Sequence, residues 1–281
     1  MGTPSSIRST PPRGEPLAKG SAAAARVSAY HLHGRDYDET TPRRDDSMSV
    51  ARVVSLVPSL TETLSTWGVT PIACTRFCER PDLTHVGGTK NPDLAAIDAL
   101  APDLVVMDAE ENRREDYEAL LEHGHEVIAT RVRSLEDVNQ ALGTLSTRLN
   151  VVHDATRVGA APVATRRAFV PIWRRPWMAL GQPTYGASLL AHLGVEVVGP
   201  AGPYAETSLD DATALGADVV LAPSEPYPFS TRQLHELTQV APVIFLDGRD
   251  LFWWGTRTPG AFVRLGAALA TTPTGGAARE Q

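Results

Sequence analysis

The sequence predicts an α/β protein of two Rossmann-like lobes with parallel sheets, bridged by a connecting α-helix. Three observations predict it. From Val53 onward, short apolar runs alternate with amphipathic segments, the pattern of parallel strands covered on both faces by helices. The stretch LAAIDALAPDLVVMDAEE at 94–111 aligns without a gap with LDDATALGADVVLAPSEP at 209–226, an offset of 115 residues. Each copy reads as a helix with Leu, Ala and Leu inward, an Asp just before a strand, the strand, and a polar loop containing Glu. Between the two sets of strands, Ser134-Leu-Glu-Asp137 reads as a capping box. It opens a helix with Leu135, Val138, Leu142, Leu145 and Leu149 on one face.

Taken in order, residues 1–47 carry five prolines, mixed charge and no apolar run beyond AAAA at 22–25, and are expected to be a disordered extension. The first lobe, 48–133, takes its strands from VVSLV (53–57), IAC (72–74), LVVM (104–107) and VIA (127–129). Its helices show apolar stripes at Leu60, Leu64 and Trp67, at Leu94, Ile97 and Leu100, and at Tyr117, Leu120 and Leu121. The bridge spans 134–166, its helical pattern resuming through Val151–Val158 before Gly159 and Pro162. The second lobe, 167–272, takes strands from FVPI (169–172), VEVV (195–198), VVLA (219–222) and VIFL (243–246), with a last helix at 258–271. Residues 273–281 are expected to be a disordered tail.

Composition narrows the function. The chain has 281 residues, 42% apolar and 21% charged, enough for a real core in two lobes. No run approaches the ~18 apolar residues of a membrane span, so no membrane insertion is expected. A net charge of −7 is a poor match to a polyanion and argues against nucleic acid. Cys74 and Cys78 are too few for a disulfide scaffold and lack the further ligands of a zinc site, so they read as two reduced thiols, with a redox pair or a soft ligand to a bound metal as the alternative. The pairs His31/His33 and His123/His125 likewise have no spaced partners, and no metal site is expected. Phosphate-loop, GxGxxG, GxSxG and HExxH signatures are absent.

Aromatic placement points to a binding crevice. Of 17 aromatic residues, 12 lie between Phe169 and Phe262, and most are expected just after strands. Trp173 and Trp177 follow the strand at 169–172, Tyr227 and Phe229 that at 219–222, and Phe252, Trp253 and Trp254 that at 243–246. In parallel sheets the carboxyl ends of strands line the ligand crevice, and tryptophans supply broad, rigid apolar faces for a flat amphipathic ligand. The first lobe offers polar loops at its own strand ends, PSLTE (58–62), TRFCERP (75–81) and AEENRRE (109–115), and Arg257 is similarly placed after Trp254. GGTKNPD (87–93) reads either as a turn before a helix starting at Pro92 or as a loop closing against a ligand.

RVVSLVPSLTETL, VGGTKNPDLAAIDALAPDLVV, PIWRRPWM and EPYPF, in that order, resemble the cobalamin-binding, helical-backbone metal receptor branch of class III ABC-transporter substrate-binding proteins, over about 50–271. The resemblance implies a non-catalytic protein holding a corrinoid between its lobes, or more loosely haem or a ferric siderophore, with no intrinsic cofactor. Phe77, Asn112, Trp173, Tyr204, Tyr227, Trp253, Trp254 and Arg257 are the expected ligand-binding residues. The implied partner is an ABC permease docked through Glu62 and Asp210. Each also has a bland reading, Glu62 in a capping box with Ser59 and Asp210 in the first turn of a helix capped by Ser208. Family importers carry a leader or lipid anchor, and none is read here, so the expected location is the cytoplasm, with an enzyme or accessory protein acting on corrinoids or their precursors in the same crevice as the alternative. Trp254→Ala is expected to weaken corrinoid binding at least tenfold and leave the fold intact, as ligand titration and thermal unfolding would show.

Overall fold

The apolar runs of the first lobe become a five-stranded parallel sheet. In the computed structural model, which describes residues 51–271 and 273–274, the lobe runs β1 (Val53–Ser55), α1 (Pro58–Thr66), β2 (Ala73–Cys74), β3 (Thr84–His85), β4 (Gly87–Gly88), β5 (Asn91–Pro92), α2 (Leu94–Leu100), β6 (Leu104–Asp108), α3 (Arg114–Glu122) and β7 (Val127–Thr130). Its sheet order is β3-β2-β1-β6-β7, and β4 pairs with β5 as a small hairpin. Helix α4 (Leu135–Leu149) then crosses to the second lobe. There follow β8 (Arg166–Phe169), β9 (Pro171–Trp173), β10 (Trp177–Leu180), α5 (Tyr185–His192), β11 (Val195–Val197), β12 (Tyr204–Thr207), α6 (Leu209–Ala214), β13 (Val219–Pro223), α7 (Leu234–Leu237), β14 (Val243–Leu246), α8 (Gly248–Phe252) and α9 (Thr258–Leu269). The second parallel sheet has the order β11-β8-β13-β14, and an antiparallel sheet β12-β10-β9 stands beside it.

The internal match survives in three dimensions without a register shift. Strands β6 and β13, both five residues and wholly buried, begin 115 residues apart. Each pairs on one side with its lobe's first strand, β1 or β8, and on the other with its last, β7 or β14. In both sheets the chain therefore reverses its winding between the first strand and the repeated one, and the two carboxyl ends at that switch face the same cleft.

Helix α4 is built as its sequence implies. Ser134 caps it, its hydroxyl accepting the Asp137 N–H at 3.2 Å, although the Asp137 carboxylate reaches back to the N–H of Arg133, at 2.8 Å. Leu135, Val138, Leu142 and Leu145 lie buried in one apolar cluster that also takes Leu60 and Val106 from the first lobe and Leu189, Leu221 and Trp254 from the second. The lobes thus share a core.

Several details differ from expectation. Helix α4 ends at Asn150, which takes the left-handed conformation at φ 51°, and 151–165 contains neither helix nor strand, because four residues of the stretch are β-branched valines and it also holds Gly159 and Pro162. Leu121 does not share the buried face of α3 and is 44% exposed. The short strands β3, β4, β5 and β12 carry no apolar run long enough to announce them, and β10, the apolar run WMAL, was expected as chain following a strand. Trp173 and Trp177 do not follow a strand: they sit in β9 and β10, the two arms of a hairpin. The expectation for 1–47 lies outside the described residues, and so does most of 273–281. Thr274, which is described, forms an antiparallel bridge with Val243.

Close packing between lobes is tightest at Gly255, whose φ of 132° is open to glycine alone and where a Cβ would overlap Thr63 Oγ1. Thr63 Oγ1 also accepts the N–H of Thr256 at 3.3 Å. Gly255→Ala is expected to destabilise the chain by about 2 kcal/mol or more, read as a lower midpoint in urea unfolding at unchanged slope.

Candidate functional site

A cleft of about 750 Å³ opens where the carboxyl ends of the two sheets meet. One wall is aromatic and comes from the second lobe: Trp173 on β9, Tyr204 on β12, and Phe252 and Trp253 where α8 ends. Trp173 stands edge-on to Tyr227 at 5.7 Å between ring centroids, which holds its face in place. The opposite wall comes from the first lobe: Val57 and Pro58 after β1, Arg76 and Phe77 after β2, and Lys90 at the tip of the β4–β5 hairpin. Pro92 lies in that hairpin rather than at a helix start, and Asp93 caps α2 by accepting from Ala96. Thus GGTKNPD forms a turn that presents Thr89 and Lys90 to the cleft.

The polar lining is acid-rich, with Glu79, Asp108, Glu110, Glu111 and Glu225 against Arg76 and Lys90. Glu110 and Glu225 occupy the same position in the two repeat copies, two residues beyond β6 and β13. Burial raises the carboxyl pKa of Glu225, and burial lowers that of the Lys90 ammonium in spite of Glu111, Asp108 and Glu110 nearby. Lys90 donates to the Glu110 carbonyl at 2.8 Å. Among the described residues, no histidine lines the cleft and no group of three or more His, Cys, Asp or Glu is placed to hold a metal.

Ion pairs and hydrogen bonds tie the lobes together around the cleft. Tyr204 donates its hydroxyl to Glu110 Oε2 at 2.9 Å, and Arg133 holds the other oxygen at 3.1 Å. Arg249 meets Glu79 at 3.1 Å. Arg257 bridges Glu62 of α1, at 2.9 Å, and the buried carboxylate of Asp250, at 2.8 Å, which Arg264 also clamps.

Of the residues expected from the sequence, Phe77, Trp173, Tyr204, Trp253 and Trp254 line the cleft. Trp254 does so while only 5% exposed and packed into the shared core. Three do not line it. Asn112 is buried: its Nδ2 donates to the carbonyls of Leu56 and Thr89, and its Oδ1 accepts from the Asp108 N–H, so it locks the loops after β1, β4 and β6. Tyr227 packs behind Trp173 and against Phe229. Arg257 is consumed by Glu62 and Asp250, with Trp253 at 5.7 Å. Glu62 does not cap α1 with Ser59, since that helix starts at Pro58 with Val57 as its cap residue. Asp210 is exposed in the first turn of α6, which Ser208 caps. Lys90, Glu110 and Glu225 were missed, although the gap-free repeat already aligned the two glutamates.

Asp108 is the most perturbed acid of the cleft. It is 2% exposed, its oxygens accept from the Glu110 N–H at 2.9 Å and Thr130 Oγ1 at 2.8 Å, and burial pushes its carboxyl from 3.8 up to about 7. The folded chain therefore holds this proton more tightly than the unfolded chain. Its contribution to stability is full below pH ~4 and is lost as pH rises through ~7. Asp108→Asn, whose Oδ1 still accepts from the Glu110 N–H while its Nδ2 donates to Thr130 Oγ1 and leaves that hydroxyl's proton to the Met107 carbonyl, is expected to flatten the fall in thermal midpoint between pH 5 and 8 and to raise the midpoint at pH 8. An unchanged pH profile would show Asp108 ionised throughout.

No protein-family model and no curated protein matches the sequence. Solved structures do match the fold. The periplasmic vitamin B12 binding protein BtuF of Vibrio cholerae is 16% identical, over 78% of this chain and 97% of that one, with a TM-score of 0.62. A periplasmic haem-binding protein from Pseudomonas aeruginosa is 19% identical, over 79% and 94%, with a TM-score of 0.64. The periplasmic haem-binding protein BhuT, in complex with two haems, is 22% identical, over 78% and 99%, with a TM-score of 0.61. All three are described as periplasmic, which overturns the cytoplasmic location expected from the sequence. The two parallel-sheet lobes joined through α4 have the fold of the class III substrate-binding proteins of ABC transporters.

Proposed function

We propose that this chain is a non-catalytic substrate-binding protein that works outside the cytoplasm and holds a corrinoid in the cleft between its lobes. The observation that carries the ligand class is the pairing of an aromatic wall with an acid-rich rim. Trp173, Trp253 and Tyr204 offer apolar area for one face of a macrocycle, at ~25 cal/mol per Å² covered. Carboxylates accept hydrogen bonds and cannot donate them. They suit the primary amides around a corrinoid and repel the carboxylates of haem. The periplasmic vitamin B12 and haem-binding proteins that share the fold support the role without choosing between these ligands.

On this reading the partner is an ABC permease that docks on Asp210 and Glu62. Asp210 is free to meet a basic surface, whereas Glu62 already holds Arg257, so a permease cation would compete with the tie between the lobes.

Titration with aquocobalamin, cobinamide, haem and a ferric siderophore, followed by tryptophan fluorescence and calorimetry, tests the ligand. Sub-micromolar binding of a corrinoid, with haem at least tenfold weaker, is the expected result. Haem binding alone, or no binding, would sink the corrinoid. The two tryptophans separate binding from folding. Trp253→Ala is expected to weaken corrinoid binding about tenfold at an unchanged melting temperature. Trp254→Ala does not leave the fold intact as the sequence suggested: it is expected to cost about 3 kcal/mol or more of stability, because the side chain is buried in the shared core.

A further inference from the structure

The loop between Cys74 and Cys78 is where the first lobe meets the cleft, and its two thiols lie together beneath it. Cys74 ends β2 and is fully buried, and Cys78 is 5% exposed. The chain turns back between them, the Cys78 N–H donating to the Thr75 carbonyl at 3.1 Å. That turn sets the two thiols close enough for each to shift the other's acidity. Cys78 Sγ also accepts from Thr61 Oγ1 of α1, at 3.1 Å, and lies 3.2 Å from Thr75 Oγ1. The two residues at the crown of the turn are Arg76 and Phe77. Both line the cleft, with the Arg76 guanidinium 4.7 Å from the Phe77 ring centroid, and Phe77 is 51% exposed.

We propose that Cys74 and Cys78 form a dithiol redox site that closes to an intramolecular disulfide by exchange with a disulfide oxidant, covalently tying the base of the Arg76–Phe77 loop. Cys78 is the attacking group. It is the more accessible thiol, 5% exposed against 0% for Cys74, and the hydroxyls of Thr61 and Thr75 at its sulfur favour its thiolate against the cost of burial, whereas no hydroxyl supports the buried Cys74. In the first step the Cys78 thiolate attacks one sulfur of the oxidant, forming a mixed disulfide and expelling one thiolate. In the second, Cys74 passes its proton to the expelled thiolate and attacks Cys78 Sγ, expelling the other half of the oxidant. The chain loses two hydrogens, and the oxidant is reduced to two thiols. A sulfur–sulfur bond of ~2.05 Å requires the two sulfurs to approach each other. Phe77, the residue next to Cys78, moves with it.

The test uses the full chain equilibrated in buffers of reduced and oxidised glutathione, quenched in acid, unfolded, alkylated with N-ethylmaleimide and weighed by mass spectrometry. Unfolding before alkylation removes any effect of burial. Two maleimide adducts under reducing conditions, and none under oxidising conditions with a chain lighter by two hydrogens, are expected, in a single two-electron transition. Cys74→Ala is expected to trap Cys78 as a glutathione mixed disulfide. Two maleimide adducts in every buffer would overturn the site, as would a disulfide-linked dimer or a stable glutathione adduct on the wild-type chain.

Discussion

The constraint on which the rest of this structure depends is the single apolar core that passes through both lobes along α4. A helix with Leu135, Val138, Leu142 and Leu145 on one face cannot bury that face against either sheet alone. It is covered from both sides, by Leu60, Leu64 and Val106 and by Leu189, Leu190 and Leu221. Separating the lobes would expose this surface to water, and burial of apolar area is the dominant favourable contribution to folding. The polar ties from Tyr204 to Glu110, from Arg249 to Glu79 and from Arg257 to Glu62 then set the lobes' orientation. The exposed Arg249–Glu79 pair contributes little on its own. The ties fix a geometry that the core has already imposed.

That rigidity explains how the cleft is made. Its shape depends on two sheets presenting carboxyl ends to each other at a fixed distance, so its walls are largely preformed and little ordering cost falls on binding. Two acids of the rim follow from the repeat: the turn after β6 and the turn after β13 carry glutamate at the same position, and both glutamates line the cleft. Glu110 is satisfied by Tyr204 and Arg133, whereas burial leaves Glu225 with a raised pKa. Pseudo-symmetry of fold thus coexists with asymmetry of charge: in the ties the first lobe supplies the acids Glu62, Glu79 and Glu110, and the second supplies Tyr204, Arg249 and Arg257 along with most of the aromatic surface.

The aromatic clusters illustrate how far side-chain pattern can be read. Their concentration after Phe169 located the wall on the second lobe, and Trp173 and Trp253 stand in it. Pattern alone could not separate rings that face the cleft from rings that pack behind them, because both kinds follow strands closely in sequence. Tyr227 lies behind Trp173, and Trp254 points largely into the core while its neighbour Trp253 does not. Successive residues in extended chain point to opposite sides, so a shift of one position exchanges the two roles. Arg257 and Asn112 were read as ligand donors for their chemistry, and both are spent within the protein, on carboxylates and on backbone carbonyls.

What the sequence determined by itself was everything that depends on local periodicity and capping: the buried strands from Val53 to Leu246, the cap at Ser134, the apolar face of α4, and the repeat that makes two lobes of one plan. These are dictated by the spacing of apolar side chains and by hydrogen bonds between residues three or four apart, which leave their mark in a short window. Only the tertiary structure decided which polar groups reach water. The pairing of Glu62 with Arg257, 195 residues away, the Tyr204–Glu110 bond and the burial of Asp108 are long-range. So is the meeting of Lys90, Glu110 and Glu225 in one cleft. No local pattern encodes them, because a charge's partner and its exposure are set by which surfaces the folded core brings together.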